Sequence, residues 1–335
     1  MATNMGAGIL GVPYAIYHMG LPLGTAMIIF IAAFTQASIV LMLKTAQLAP
    51  CKPKSVYEIA YLLYGRTSIF FLCIIMLISG LGAIALFYRM IGDTFSTVLK
   101  DGLMGPNHGQ DGSVGEEGAE GHPWWVTAIV HEKTLIVLAG LLQTPVIFKR
   151  QLEEMKVISY SFAIIALVFT FLLIGELYRR RDYVSEHIDW DDLKRAKLDA
   201  GFVTSLNILI LSFSMHWIIL PTYSELENRT VARFVKAVRI ELSIFTIVFL
   251  TIGYSAAILF GSKINSLLLL SLAELDGLTS IFCRIMFVVL LMFHIPYYFY
   301  MEKEFCLVLY DEVYNRSMST RLEQKLQSAA VARGQ

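Results

Sequence analysis

Charge is scarce in this sequence. Only 16% of its 335 residues are Asp, Glu, Lys or Arg, against about a quarter in an ordinary soluble domain. The 27 basic and 27 acidic side chains cancel, so nothing points to nucleic acid as a partner. Cysteine is scarce as well: Cys51, Cys73, Cys283 and Cys306 are the four. None falls in a connection expected on the outer side of a membrane, so no disulfide is predicted. Clustered Cys/His metal spacing, a phosphate-cradling loop ahead of a helix and a nucleophile elbow are all missing. No enzyme is expected, and no cofactor or metal. The short alternating segments of an outer-membrane barrel are missing too. The first apolar stretch has neither a basic flank nor a small-residue cleavage site, as a secretory leader would. Insertion through the chain's own helices is expected.

Apolar residues fill the space that charge leaves. They make up 56% of the chain, and the mean hydropathy is +0.62. They gather in blocks long enough to cross a hydrocarbon core of roughly 30 Å. Eight blocks are read as spans: Met5–Leu23, Leu23–Leu43, Thr67–Ile91, Thr134–Phe148, Val157–Gly175, Gly201–Leu220, Ile240–Phe260 and Thr279–Tyr300. In lipid a backbone must satisfy its own hydrogen bonds, so the blocks are helices. The fold class expected is all-α, a polytopic membrane protein.

Basic residues set the orientation. With the N-terminus in the cytoplasm, the inner connections 44–66, 149–156 and 221–239 carry Lys44, Lys52, Lys54, Arg66, Lys149, Arg150, Lys156, Arg229, Arg233, Lys236 and Arg239. The segment from Asp101 to Glu132, with six acidic residues and no Lys or Arg, is then outside. Segment 178–199 runs against the rule, because it is outside yet holds Arg179, Arg180, Arg181, Lys194, Arg195 and Lys197. Residues 1–302 are taken as the membrane domain and 303–335 as a cytoplasmic tail with helix-like spacing at Arg321, Glu323, Gln324 and Lys325. The Gly-rich, acidic part of 101–132 buries too little apolar surface to offset chain entropy and is expected to be a disordered outer loop. Asn228-Arg229-Thr230 is a glycosylation sequon on the inner side, hence a chance match.

The first span reads Thr3-Asn4-Met5-Gly6-Ala7-Gly8-Ile9-Leu10-Gly11-Val12-Pro13-Tyr14-Ala15. Three glycines and a proline weaken a continuous helix. One reading is a break whose freed N–H groups receive an anion such as a carboxylate. The other is a small-residue seam for close helix packing. Arg89 and Asp93 lie four apart and are expected to pair. Arg284 needs a partner or a path to the interface.

The stretch Gly6–Ala15 after Asn4 resembles the first-helix signature of the amino acid/auxin permease family, which includes sodium-coupled neutral and proton-coupled amino acid transporters. The likeness continues through Ser55-Val56-Tyr57-Glu58 with Gly65, Ile91-Gly92-Asp93, Leu152–Ser159, Ser212–Leu226 and Gly253-Tyr254 to Phe260-Gly261. It covers about residues 3–302, and Ser212–Leu226 is very similar to the sixth helix of the sodium-coupled branch. The resemblance implies a LeuT-type bundle of the amino acid-polyamine-organocation superfamily, with two inverted repeats. It implies secondary active transport of small neutral amino acids by alternating access, with the substrate between broken first and sixth helices. Carried onto this chain, Asn4, Gly6, Ala7 and Gly8 meet the substrate from the first helix, and Phe213, Ser214 and His216 from the sixth. The partners implied are an amino acid and the lipid bilayer, and transport is expected to be either coupled to a proton or uncoupled. The membrane implied is the plasma membrane or a vacuolar/lysosomal one.

Two departures qualify the resemblance. The sodium-coupled branch has an Asn four residues before Gly6, where this chain has Ala2; Thr3 and Asn4 are the polar groups available for ion coupling. In the eighth helix, Leu291-Met292-Phe293-His294-Ile295 carries no hydroxyl where the family's sodium ligand stands. His294 is open to two readings: a residue that carries a coupling proton, or a neutral histidine bonded to a nearby carbonyl. The family has eleven helices, and eight are recognised here, so the sequence is expected to be truncated after the eighth. A transporter-like amino acid sensor or scaffold is the alternative function.

Overall fold

A computed structural model describes residues 2–104, 131–147, 156–182, 184, 188–197, 199–227, 230–273 and 278–332. Most of its described residues are helical, with no strand among them. The α-helices are α1 (Ala2–Met19), α2 (Leu21–Leu48), α3 (Val56–Tyr64), α4 (Thr67–Met104), α5 (Glu132–Ile147), α6 (Lys156–Arg179), α7 (Trp190–Lys194), α8 (Ala200–Ser212), α9 (His216–Glu225), α10 (Val231–Phe260), α11 (Leu268–Ala273), α12 (Leu278–Tyr314) and α13 (Ser317–Ala332). Five stretches of described helix are long and apolar enough to cross a membrane: Leu21–Leu48, Thr67–Lys100, Ala200–Glu225, Val231–Lys263 and Thr279–Tyr314. Five of the eight expected spans are among them. Of the others, α1 has 18 residues, α5 has 16 and α6 has 24.

The surface is apolar in the way lipid requires. Phe30, Phe34, Phe71 and Phe171 are each more than 60% exposed, a cost in water but none against acyl chains. Helix ends follow local chemistry. At α3, Ser55 accepts a hydrogen bond from the Glu58 N–H at 3.3 Å, and Glu58 Oε2 accepts from the Lys54 N–H at 2.7 Å. The first bond ties off an orphan N–H at the helix start, and the second fastens the chain just ahead of the cap.

The described chain falls into two compact units. One comprises residues 1–26, 83–212 and 248–297; the other comprises 27–82, 213–247 and 298–335. The first has a core of large side chains less than 2% exposed, among them Phe87, Phe169, Phe249 and Phe287. The Phe169 and Phe287 rings meet edge to face at 5.8 Å. The second is built around Ile28, Phe245 and Leu322, all at 0% exposure, with Tyr223 packed edge to face on Phe234.

Several boundaries differ from the hydropathy reading. α1 runs unbroken through Gly6–Gly11 and Pro13, so the backbone break expected there is not found. α10 begins at Val231 instead of Ile240, and α12 continues past Tyr300 to Tyr314. Hydropathy marks where lipid begins, whereas a helix continues as long as its backbone bonds and propensities allow. Segment 321–325 lies inside α13. Residues 105–130 of the expected outer loop, and Asn228 and Arg229 of the sequon, lie outside the described residues.

Candidate functional site

In the first unit, α1 packs chiefly on α8, and glycines make this possible. A Cβ at Gly8 would stand 2.8 Å from Phe249 Cζ and 2.9 Å from Ser212 Cβ, and one at Gly11 would stand 2.6 Å from Ile208 Cγ2. Gly8 and Gly11 are therefore the seam that the second sequence reading named. The Ser212 hydroxyl beside Gly8 donates to the Ile208 carbonyl at 2.6 Å, which satisfies it within its own helix. The backbone of residues 2–7 is helical; the side chains of Thr3, Asn4 and Ala7, and the surroundings of Gly6, lie outside the description.

The helix expected to be broken at its middle is broken. α8 ends at Ser212, residues 213–215 leave the helix, and α9 starts at His216. Met215 precedes α9 with φ −121° and ψ 5° and gives it no side-chain cap; its carbonyl takes the Ile218 N–H at 3.2 Å, which leaves the His216 and Trp217 amides to meet another acceptor. Within the second unit, Phe213 is 1% exposed, Ser214 is exposed and His216 Nε2 is buried without a hydrogen-bond partner. Trp217, next along, sets its ring 6.0 Å from that of Tyr298. Phe213, Ser214 and His216 thus share one interruption.

His294 lies in the first unit and is 1% exposed. Its ring meets Phe87 of α4 edge to face at 5.2 Å. Arg284 is buried in the same unit at 3% exposure. Arg89 and Asp93 approach to 3.8 Å, as their spacing predicts, with Arg89 largely exposed; such a pair adds little stability.

The sequence reading missed a polar cluster at the C-terminal end of α1. Tyr17 donates to Asp192 Oδ2 at 2.6 Å, Lys197 Nζ donates to the same oxygen at 2.9 Å, and that ammonium sits 3.6 Å above the Tyr17 ring. The Lys197 N–H bonds the His18 carbonyl at 2.9 Å. Gly20 has φ +76°, a left-handed turn where a Cβ would press within 2.8 Å of the Lys194 carbonyl. These partners are 175 residues apart for Tyr17 and Asp192, and no local pattern joins them. The Tyr17 hydroxyl first, and Lys197 with it, hold the Asp192 carboxyl below the usual carboxylate range. Burial opposes the Lys197 charge, but bonds to Tyr17 and Asp192 outweigh it and raise its pKa.

A pH dependence follows. A depressed carboxyl stabilises fully above its unfolded pKa of about 3.9 and loses that contribution as pH falls through its lower folded value. Lys197, being raised, stabilises fully below about 10.4 and loses its contribution above that. Asp192→Asn is expected to lower the Tm by roughly 1–2 °C through the neutral range, with the gap closing in acid. Thermal unfolding of both proteins across pH checks this; a gap that stays constant in acid counts against it.

Sequence comparison agrees with the layout. The family model for "Transmembrane amino acid transporter protein" matches residues 1–321. Amino acid transporter AVT6A of Arabidopsis thaliana is 27% identical over 265 residues, covering 77% of this chain and 54% of its own length. Amino acid transporter AVT6E of the same plant is 24% identical over 270 residues, covering 78% and 51%. The putative sodium-coupled neutral amino acid transporter 11 of Bos taurus is 23% identical over 256 residues, covering 75% and 50%. The chain spans about half the length of the curated relatives it matches. These relatives and the family are transporters and not enzymes. Spanning helices, an interrupted helix at Phe213–Met215 and a family match over nearly the whole sequence lead to one conclusion: the chain belongs to the transmembrane amino acid transporter family.

Proposed function

We propose that this chain is the membrane-embedded part of a secondary active transporter of small neutral amino acids, working by alternating access in a LeuT-type bundle, proton-coupled or uncoupled. The observation that carries the reading is the interruption at 213–215, with uncapped α9 amides and the unpartnered His216 Nε2, in a chain that belongs to this family. Free amides at a helix start suit a carboxylate. Phe213, Ser214 and His216, with Asn4, Gly6, Ala7 and Gly8 of α1, are the substrate residues in this reading. Thr3, Asn4 and His294 serve ion coupling.

An N-terminus in the cytoplasm is part of the proposal, with the plasma membrane or a vacuolar/lysosomal membrane as its place. Residues 1–302 are the membrane domain, 101–132, with the end of α4 and the start of α5 at its edges, the outer side, and 303–335 the cytoplasmic side. One observation supports this sidedness. In the second unit, Tyr57, Tyr61 and Arg66 of the inner connection bond Glu304, Glu323 and Glu312, so 304–323 lies with the basic connection 44–66.

Reconstituted protein is expected to take up labelled glutamine or alanine, and His216→Ala to lower apparent affinity tenfold or more, about 1.4 kcal/mol. His294→Gln is expected to abolish acid-driven uptake while leaving exchange; the same pH dependence in that variant removes His294 from the coupling role. Binding without flux would point to an amino acid sensor or scaffold instead.

A further inference from the structure

In the second unit, Glu302 of α12 is 8% exposed and lies on Thr279–Tyr314, a helix long and apolar enough to cross a membrane. Its Oε2 is buried without a hydrogen-bond partner. The carboxyl group rests on Gly80 of α4, where an added Cβ would collide with Oε1 and the carboxyl carbon. A Cβ at this position would force the carboxyl group out of its present seat. A buried ionisable group on a membrane-spanning helix is costly and is by default a functional candidate. An unmatched carboxylate oxygen in such a place is relieved by an added proton, which removes the charge and creates a donor.

The neighbouring groups favour a proton over a metal ion. Tyr298 stands one turn before Glu302 on α12, Cys73 lies on α4 two turns before Gly80, and His216 on α9 adjoins Trp217, which packs on Tyr298. Glu304 already accepts from Tyr57 at 3.1 Å, and Lys303 is exposed. No group of three His, Cys, Asp or Glu able to hold a metal occurs among the described residues, whereas a bare cation needs several oxygen ligands at once.

We propose that Glu302, seated on Gly80, is a proton-binding site within the membrane-spanning part of the chain: the carboxylate takes up one proton, forming an O–H bond, and gives it back when that bond breaks. Its service as a coupling group rests on the transport reading above; the binding of the proton does not.

Infrared titration of the full chain in lipid vesicles tests it. The wild type is expected to show the carbonyl stretch of a protonated acid that comes and goes with pH, and Glu302→Gln to lose that band. Gly80→Ala, which keeps the acid but crowds its seat, is expected to move the midpoint by roughly one pH unit and carries the test if Glu302→Gln does not fold. Identical titrating bands in wild type and Glu302→Gln, or an unmoved midpoint in Gly80→Ala, overturn the proposal. Absence of amino acid uptake alongside a titrating Glu302 band overturns the transport reading instead.

Discussion

Glu312→Ala is expected to release α13 and lower the Tm by about 5 °C. The Glu312 side chain is fully buried and accepts from Arg66 Nε at 2.6 Å, from the Ser319 hydroxyl at 2.7 Å and from the Ser319 N–H at 3.0 Å. Arg66 also donates to the Glu312 carbonyl oxygen at 2.9 Å. One carboxylate thus fastens the start of α4 and the start of α13 to α12. Removing one partner of a buried pair costs about 3–5 kcal/mol; Arg66 is 34% exposed, so the lower end applies. Ser319→Ala leaves the ion pair and is expected to cost about 1 kcal/mol. The two variants are compared by thermal unfolding in detergent and by protease cleavage within 317–332. Equal losses would mean that the ion pair does not hold the helix.

The second large effect concerns the seam of α1. Gly8→Val is expected to destabilise the first unit by at least 3 kcal/mol and to abolish uptake; Gly8→Ala should cost about 1–3 kcal/mol. Phe249 and Ser212, which a Cβ at Gly8 would strike, are themselves buried at 0% and 4%, so neither can swing aside into lipid. Gly11 lies three residues on, on the same face, and meets Ile208. Gly140 of α5 is the control, since nothing lies within 4 Å of a Cβ there; Gly140→Ala is expected to be neutral or to stabilise by about 0.5 kcal/mol. Thermal stability and uptake of the three variants decide the matter. If Gly8→Ala and Gly140→Ala behave alike, the close approach of α1 and α8 has no energetic weight.

What was legible in the sequence follows from range. Apolar runs reported α2, α4, α8 with α9, α10 and α12, because transfer into lipid is a property of each segment alone. The likeness of Ser212–Leu226 to a known sixth helix implied a broken helix, which hydropathy did not show; the structure puts the interruption at 213–215. The first span illustrates the limit: three glycines and a proline fit a break and a packing seam equally well, and only the neighbours Phe249, Ser212 and Ile208 decide. The α3 start was within reach, since Ser55-x-x-Glu58 is a capping pattern with a known geometry. Tyr17 with Asp192, Arg66 with Glu312 and Gly80 with Glu302 were not, because each pair is far apart in sequence and neither member carries a local signature. Glu302 in particular read as the edge of a tail, since hydropathy ends the span at Tyr300 just before it.

The length of α12 has a mechanical consequence. Its 37 residues amount to about 55 Å at roughly 1.5 Å per residue, while the hydrocarbon core takes only about 30 Å. Its C-terminal end carries the paired rings of Tyr310 and Tyr314, 4.6 Å apart, and Tyr314 lies about 18 Å along the rod from Glu302. Such an extension is a lever: rocking the helix about Glu302 by about 10° would carry Tyr314 sideways by roughly 3 Å. A fluorophore near Tyr314 would read, at the water-exposed end, a tilt too small to resolve within the bilayer.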